Sequence, residues 1–367
     1  MHGSVRSLAP PVVHDVAEGV GLLLAGLAGR EEIAARLGIG GATLEVLLHE
    51  LSLTDCAMMP VGVDRDLSTA FVDMGDQPFD APTYDDSIDR ATAADDPGRR
   101  IRFRLPARAV TAATPPVERP VPGFMLHVGR CGSTLLCNLL AATGGRVALR
   151  EPEFLNTLFL ARAATRDPAQ IDRIDTLVTR LIACLAHGVR PRDCLVKFSS
   201  WTTALAAPLI AAIVGARVIV VVRDPAATVA SFLAQPPYWY GDRPARGPLA
   251  GAERARAARF FAQSWQSVMQ AAQLLPRDRT LFVRYEDIVR DPSAMVERAR
   301  RHLGDTAGPP DRAALDRVMA LYSKGAAAEP FDRSGRHKRA ALDRDLLDQV
   351  AAVTACDWDV VRAIMSA

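Results

Sequence analysis

From Phe124 onward, short apolar runs alternate with longer segments whose apolar residues recur at helical spacing. The predicted strands are Phe124–Val128, Arg146–Leu149, Cys194–Phe198, Arg217–Val222 and Thr280–Arg284. Several of them are apolar throughout, which is typical of strands buried on both faces of a parallel sheet. The alternation predicts an α/β fold in which helices cover both faces of a central parallel sheet. Ligands of such sheets bind outside the carboxyl ends of the strands, so functional residues are expected there.

The segments between these strands complete the pattern. Their apolar residues recur at intervals of three and four, as on the buried face of a helix. The predicted helices are Thr134–Ala142, Glu153–Ala164, Ala169–His187, Thr203–Val214, Ala226–Ala234, Ala252–Leu275 and Ser293–Leu303.

The region before the first of these strands has a different character. The prolines of Thr111–Gly123 predict a linker, and we divide the chain into an N-terminal helical region, residues 1–115, and an α/β domain, residues 116–367. The N-terminal region has helical patterns, then an acidic segment predicted to be mostly loop, then an alternating, half-buried strand. These are Asp15–Gly29, Glu31–Leu37 and Ala42–Leu53, then Asp73–Gly98, then Arg100–Ala107.

The segment Glu31–Leu51 resembles a helix-turn-helix. Its second helix carries Glu45, His49 and Glu50 and neither Arg nor Lys. Acidic side chains facing DNA phosphates are unfavourable, because affinity for DNA comes largely from cations. We therefore expect this region to pack within the protein or to dock a protein partner, and we expect no nucleic-acid binding.

Charge and cysteine usage narrow the class of protein further. A formal net charge of +2 produces no field that favours nucleic acid or an acidic membrane. The six cysteines are scattered, which favours reduced thiols, and no apolar run reaches the roughly 20 residues that span a bilayer. We expect a cytoplasmic protein that binds no membrane. A metal site from Cys184, His187 and Cys194 would span a helix and a strand, and no metal is predicted.

The turn after the first predicted strand combines glycines, hydroxyls and an arginine, in the order Gly129, Arg130, Cys131, Gly132, Ser133 and Thr134. Such a turn at a helix start offers backbone N–H groups and the positive end of the helix dipole to an anion. Arg130 adds a fixed charge. The common GxxxxGK[ST] loop is excluded, because the chain has no Gly-Lys pair. A cysteine phosphatase loop is excluded as well, because Cys137 lies where the arginine would be needed.

Two later stretches also place polar residues at strand ends. Arg223 follows the strand Arg217–Val222, and Ser231 lies eight residues later on the next helix. Tyr285 opens a Tyr-Glu-Asp sequence after the strand Thr280–Arg284. Purely structural alternatives are an ion pair of Arg223 with Asp224, and a buried Tyr285 ring at a solvated helix start.

These three motifs, in this order, resemble those of the sulfotransferase family, whose donor is 3′-phosphoadenosine 5′-phosphosulfate. The resemblance covers roughly Pro122 to Asp291. It implies that the loop from Gly129 to Thr134 binds the 5′-phosphosulfate, that Arg223 and Ser231 bind the 3′-phosphate, and that Tyr285 contributes to the nucleotide site. It also implies transfer of a sulfuryl group to a hydroxyl or amine of a small-molecule or glycan acceptor, without a metal.

The resemblance also suggests a general base. One branch of the family has a His two residues after a Lys on the third strand, but Ser199 holds that position here. The other branch has a Glu after the second strand, where this chain has Glu151 and Glu153. We expect Glu151 to be the base because it lies where the strand ends. The alternative is an acid that stabilises the following helix through its dipole.

Two cations are expected to meet the charge that develops on the bridging oxygen. They are Arg130 and Lys197, the latter one of only three lysines in the chain. The alternative for Lys197 is an interior lysine paired with a carboxylate.

Some features leave the function open. Tyr238, Trp239 and Tyr240 lie in a long loop and predict either a lid or acceptor wall, or local packing. Arg336 and Lys338 are further candidates for the 3′-phosphate. The competing functions are a nucleotide-dependent kinase with a degenerate phosphate loop and a catalytically silent nucleotide-binding scaffold.

Overall fold

The structure is a computed structural model, and it describes most of the chain. The described residues are 18–50, 58–75, 77–94, 102–112, 121–143, 146–189, 193–237, 239–241, 249, 251–305, 309–320 and 342–366. The chain forms two compact units. The first comprises Met1–Pro122 with Pro152–Cys194, and the second comprises Gly123–Glu151 with Leu195–Ala367. The predicted division into residues 1–115 and 116–367 stays a prediction.

The first unit is built on a three-stranded antiparallel sheet with the order β1–β2–β3. Its strands are β1 (Met58–Val63), β2 (Thr69–Asp73) and β3 (Arg102–Leu105). Residues 18–24 are helical. The other helices are α1 (Arg30–Leu37), α2 (Gly41–Glu50), α3 (Tyr84–Ala94), α4 (Ala107–Ala112), α6 (Glu153–Ala164) and α7 (Pro168–Gly188).

The second unit is built on a five-stranded sheet with the order β5–β6–β4–β7–β8. Its strands are β4 (Gly123–His127), β5 (Arg146–Arg150), β6 (Asp193–Lys197), β7 (Arg217–Val222) and β8 (Thr280–Arg284). Its helices are α5 (Ser133–Thr143), α8 (Thr203–Ala212), α9 (Pro225–Ala234), α10 (Gly251–Gln273), α11 (Tyr285–Arg290), α12 (Pro292–His302), α13 (Arg312–Ala320) and α14 (Arg344–Ser366). The predicted α/β fold with a central parallel sheet is confirmed.

The register of this sheet places the predicted motifs together. β4 pairs in parallel with β6 and β7, and β7 pairs in parallel with β8. β4 is buried along its whole length, and β7 is buried at every position after Arg217. The carboxyl ends of these strands therefore meet at one edge of the sheet, which we call the carboxyl edge. The glycine-containing turn, Arg223 and Tyr285 each follow one of these strand ends.

The acidic segment between Asp73 and Gly98 was expected to be mostly loop, and this expectation is wrong because it contains α3. The helix begins with a capping box: the hydroxyl of Thr83 accepts the N–H of Asp86 at 3.1 Å, and the Asp86 carboxylate accepts the N–H of Thr83 at 3.1 Å. Tyr84 and Ile88 are buried on one face. Local capping and a narrow apolar face therefore outweigh the acidic composition.

Sequence reasoning also missed several other elements. β1 contains Pro60 and Gly62, which disfavour strands, and its pairing register with β2 shifts between them. β2, α4, α11, α13 and α14 were not predicted either. Part of the predicted helix Ala42–Leu53 and the first residues of Asp15–Gly29 lie outside the described residues.

The first turn of α6 is capped from a distant part of the sequence. A carboxylate oxygen of Asp85, in the first turn of α3, accepts the backbone N–H of Glu153 at 3.0 Å. Burial raises the pKa of Asp85 to about 6, against the opposing effect of this hydrogen bond, and the charges of Glu153 and Asp89 raise it further. The folded protein therefore holds the Asp85 proton more tightly than the unfolded chain does.

We predict that Asp85→Asn stabilises the protein at neutral pH. A carboxyl with a raised pKa contributes stability below its unfolded pKa, about 4, and that stability is lost as pH rises to about 6. Asn cannot ionise and keeps an oxygen for the Glu153 N–H. The melting temperature of the variant should match the wild type near pH 4 and exceed it above pH 6 or so. Asp172→Asn, at an exposed position of α7, is the control, and a difference for Asp85→Asn that is independent of pH would contradict the expectation.

Candidate functional site

The turn after β4 has the backbone of an anion-binding loop. Gly129, Arg130 and Gly132 all have positive φ, at 78°, 48° and 79°. α5 begins at Ser133, directly after the turn, and the N–H of Leu136 donates to the Gly132 carbonyl at 2.9 Å. Arg130 is one of three non-glycine residues with positive φ among those described. Such strain is concentrated at functional sites, where the surroundings hold it in place.

Aromatic rings hold this turn from two sides. A Cβ atom on Gly129 would lie 2.5 Å from Cζ of Phe232, and one on Gly132 would lie 2.7 Å from Cδ2 of Tyr285. Both positions therefore require glycine for space as well as for backbone conformation. The contact with Gly132 brings the start of α11 against the turn, as expected if Tyr285 belongs to the same site.

His127 connects the turn to the neighbouring strand. Its Nδ1 accepts the N–H of Gly129 at 3.0 Å, so Nε2 carries the proton and donates to the Phe198 carbonyl at 2.9 Å. These bonds satisfy both ring nitrogens of His127 within the protein. They also give it a role that the sequence did not indicate, because a neutral imidazole joins the turn after β4 to the end of β6.

Arg223 reaches the same turn from the end of β7. Its Nη1 donates to the Arg130 carbonyl at 3.1 Å, and its guanidinium lies 4.2 Å from the centroid of the Tyr285 ring. The Arg223 carbonyl accepts the indole N–H of Trp265 at 3.1 Å. Arg130 and Arg223 therefore lie on the same edge of the sheet, as the sequence motifs required.

The charge of Arg223 has no protein counterpart among the described residues. The side chain is only 4% exposed, its Nε is buried without a hydrogen-bond acceptor, and it forms no ion pair with a described residue. The predicted alternative, an ion pair with Asp224, is not present; the Asp224 carboxylate instead caps α9 by accepting the N–H of Ala227 at 2.9 Å.

The Arg130 side chain turns toward α9. Its Nη2 donates to the Gln235 carbonyl, at the C-terminus of that helix, at 2.5 Å, and its guanidinium carbon lies 5.8 Å from the centroid of the Phe232 ring. A cation at a helix C-terminus interacts favourably with the dipole. The backbone of Arg130 lies in the turn, while its charge lies at the end of α9.

Glu151 and Lys197 form an ion pair at the ends of β5 and β6. Lys197 Nζ donates to Glu151 Oε1, and the Glu151 N–H donates to the Lys197 carbonyl at 2.6 Å. Glu151 has a positive φ of 56°. The Lys197 side chain is 1% exposed and that of Glu151 is 29% exposed. The two residues selected separately from the sequence thus meet, and the alternative of an interior lysine paired with a carboxylate describes the same contact.

Glu153 is placed differently from Glu151. It is exposed in the first turn of α6, within the first unit, and its carboxylate accepts the side-chain amide of Asn156 at 2.9 Å. This bond is local to the helix. The two carboxylates lie two residues apart in the sequence but have different partners. Glu151 binds Lys197, whereas Glu153 binds Asn156.

Two buried residues next to the Glu151–Lys197 pair were missed from the sequence. Arg150 Nε donates to Asn138 Oδ1 at 3.1 Å, and its Nη1 donates to the Ala148 carbonyl at 3.3 Å. Burial raises the pKa of the Cys137 thiol, while the charges of Arg150 and Lys197 oppose this effect. The signal available in the sequence was an arginine directly between an apolar strand and Glu151.

The remaining predicted residues are mostly buried. Cys131, Ser133, Thr134 and Ser231 are buried in the turn, in α5 and in α9. Trp239 and Tyr240 pack with Phe260 and Phe261 of α10, at ring-centroid distances of 4.8 to 6.3 Å, so local packing accounts for both of them. Tyr238, Arg336 and Lys338 lie outside the described residues.

Membrane-spanning helices and metal-binding clusters are both absent from the part of the chain that the structure describes. No helix there has the length and apolar content needed to cross a bilayer. The same residues contain no group of three or more His, Cys, Asp or Glu side chains arranged to hold a metal ion. The predicted cytoplasmic location and the docking of a partner by the N-terminal region stay predictions.

The fold and the turn define an α/β protein with a glycine-containing turn between its first parallel strand and the following helix. The model of the sulfotransferase family matches residues 122–306, about half of the chain. The chain therefore belongs to the sulfotransferase family, and it is an enzyme of that class. The resemblance predicted from the three motifs is confirmed.

The solved structures that the chain matches include other sulfotransferases. The sulfotransferase domain from the curacin biosynthetic pathway is 18% identical, covers 65% of this chain and 98% of its own, and has a TM-score of 0.39. The sulfotransferase domain of the Synechococcus PCC 7002 olefin synthase is 18% identical, with 65% and 96% covered and a TM-score of 0.42. A mouse sulfotransferase complexed with PAP is 15% identical, with 68% and 89% covered and a TM-score of 0.40. No curated protein matches the chain significantly.

We predict unequal costs for breaking the Glu151–Lys197 pair from its two sides. Glu151→Ala leaves an ammonium that is 1% exposed without its carboxylate, and it should lower the free energy of unfolding by about 3–5 kcal/mol. Lys197→Met leaves a carboxylate that water can reach and should cost less. Urea unfolding measures both values, and Glu151→Ala/Lys197→Met, which removes both charges, should recover most of the loss. If the two single variants lower the free energy of unfolding equally, the burial of Lys197 does not determine the cost of breaking the pair.

Proposed function

We propose that the protein transfers the sulfuryl group of 3′-phosphoadenosine 5′-phosphosulfate to a hydroxyl or amine of a small-molecule or glycan acceptor. The observation that carries this proposal is the buried guanidinium of Arg223, which has neither an ion pair nor an acceptor for its Nε among the described residues. A buried charge without a partner is costly, so an anionic ligand is the natural complement. Its contact with the glycine-containing turn gives that ligand a second anion-binding element.

The residues present fit the nucleotide at each of its charged groups. The backbone of Gly129 to Thr134, at the start of α5, would hold the 5′-phosphosulfate. Arg223 and Ser231 would hold the 3′-phosphate, and the Tyr285 ring keeps the guanidinium in place through its face, 4.2 Å away. The bound donor supplies an electrophilic sulfur and a leaving phosphate. The chain supplies orientation, charge and a base.

Glu151 is proposed as the general base. Its carboxylate takes the proton of the acceptor as the acceptor oxygen or nitrogen forms the new bond to sulfur and the bridging S–O bond breaks. Once protonated, Glu151 no longer neutralises Lys197, whose ammonium is then available to the charge that develops on the leaving oxygen. The ion pair thus couples proton removal to stabilisation of the leaving group. Arg130 would supply further positive charge by exchanging its bond with the Gln235 carbonyl for the anion.

The donor assignment is tested with Arg223→Ala. Loss of one charge-assisted contact should cost roughly 1.5–3 kcal/mol, which weakens adenosine 3′,5′-bisphosphate about ten- to a hundredfold. The affinity for AMP, which has no 3′-phosphate, should be unchanged. Calorimetric titration measures both ligands, with ATP as a third. Arg301→Ala, an exposed arginine of α12, is the control, and equal weakening of both nucleotides would assign Arg223 a structural role.

The base is tested by comparing Glu151→Gln with Glu153→Gln. Gln at position 151 keeps an oxygen for Lys197 but cannot take a proton. Turnover with the labelled donor and an acceptor panel should then fall by about 10²- to 10⁴-fold, while the affinity for adenosine 3′,5′-bisphosphate changes little. Glu153→Gln should have a much smaller effect, because its carboxylate bonds only locally to Asn156 among the contacts described. The opposite ranking would identify Glu153 as the base. If both variants stay active, neither Glu151 nor Glu153 is the general base.

A further inference from the structure

Thr228, in the second turn of α9, has a buried hydroxyl without a hydrogen-bond partner among the described residues. The residue is 0% exposed, and no acceptor or donor lies within reach of its Oγ1. A buried hydroxyl that makes no hydrogen bond destabilises the folded protein. Arg223 Nε, five residues earlier, is in the same condition. Two buried polar groups of one strand-to-helix connection therefore lack partners at the same time.

The hydroxyl of Thr228 also departs from the behaviour of most other helical threonines that the structure describes. A threonine inside a helix commonly donates to the carbonyl four residues earlier. Six others do so, at 2.7 to 3.3 Å: Thr111, Thr143, Thr157, Thr179, Thr203 and Thr354. In α9 the corresponding carbonyl, that of Asp224, accepts the backbone N–H of Thr228 at 2.9 Å, and the Thr228 hydroxyl does not bond to it. The Thr228 hydroxyl therefore makes no hydrogen bond to a carbonyl of its own helix.

The apolar residues of α9 build the core. Ala226, Val229, Ala230, Phe232 and Leu233 belong to the apolar cluster that α9 forms with α10 and α14. Thr228 is one of the polar residues of the helix. The helical repeat places it on a common stripe with Asp224, Ser231 and Gln235, which are three or four residues apart in succession.

Contacts at the end of this stripe show what it faces. The Gln235 carbonyl accepts from Arg130 of the glycine-containing turn at 2.5 Å. Phe232, the residue after Ser231, lies against Gly129 of the same turn. Thr228 lies between Arg223 and Gln235 in the sequence and on the same stripe as Gln235, and from this helical repeat we infer that its side of α9 faces the turn.

We propose that the Thr228 hydroxyl is a further ligand of the 3′-phosphate, beside Arg223 and Ser231. This inference rests on the proposed function, because it takes the 3′-phosphate as the anion that Arg223 awaits. A phosphate accepts several hydrogen bonds, so one group can satisfy both the Arg223 Nε–H and the Thr228 O–H. The cost of leaving both groups unpaired in the free protein is then recovered on binding, which favours a nucleotide with a 3′-phosphate over one without.

The test is Thr228→Val, which keeps the branched shape and removes only the hydroxyl. Without nucleotide, the variant should melt at the same temperature as the wild type or above it, because an unpaired buried hydroxyl is gone. Its affinity for adenosine 3′,5′-bisphosphate should fall about three- to tenfold, and its affinity for AMP should not change. Thr354→Val, at a helical threonine whose hydroxyl is already bonded in α14, is the matched control and should leave both affinities unchanged.

Each other outcome contradicts either the role of Thr228 as a ligand of the 3′-phosphate or the proposed function on which that role rests. A more stable variant with unchanged affinity for the bisphosphate would make Thr228 a packing residue. Equal weakening of the bisphosphate and AMP would mean that the substitution disturbs α9 as a whole. If the valine variant fails to fold, Thr228→Ala takes the same measurements with a smaller side chain. A wild-type protein that binds both nucleotides equally would defeat the proposed function itself, whatever the behaviour of Thr228.

Discussion

The candidate site depends on the burial of two cations at the carboxyl edge of a parallel sheet. Lys197 at the end of β6 is 1% exposed, and Arg223 at the end of β7 is 4% exposed. A buried charge must be compensated by an opposite charge or by hydrogen bonds. The two positions satisfy this requirement in different ways. Lys197 is paired within the protein by Glu151, whereas Arg223 has a carbonyl and an aromatic face but no anion among the described residues. This difference distinguishes a buried cation that is neutralised within the protein from one that has no anionic partner among the described residues.

The backbone around these cations carries strain that the packing supports. Positive φ values occur at Gly129, Arg130, Gly132 and Glu151, all of them directly after β4 or β5. Phe232 and Tyr285 press against the two glycines, His127 bonds the turn to Phe198, and Glu151 bonds through its N–H to Lys197. Each of these contacts comes from an element distant in the sequence. The arrangement is therefore preorganised by the fold, as electrostatic catalysis requires.

The helix α9 connects these features because each of its sides has a separate task. Its apolar side completes the core with α10 and α14. Its other side carries Asp224, which caps the helix, and then Thr228, Ser231 and the Gln235 carbonyl. Because α9 packs on the core and also contacts the turn after β4, it holds that turn in place relative to the core. Substitutions on the two sides are expected to separate stability from ligand binding, since they affect different neighbours.

The sequence by itself determined the α/β fold, the five parallel strands, the turn after β4 and the residues at strand ends, because all of these are written in local patterns of period, turn chemistry and spacing. It determined Glu151, Lys197 and Arg223 as separate candidates. Only the tertiary structure decided that Lys197 binds Glu151, that Glu153 does not belong to that pair, and that Arg223 lacks an anion. It also decided that the acidic segment forms the helix α3, and that the strand β1 forms although it contains a proline and a glycine. The physical reason is that pairing, burial and capping depend on residues far apart in the chain, such as Asp85 and Glu153, and no local pattern records which distant groups will meet.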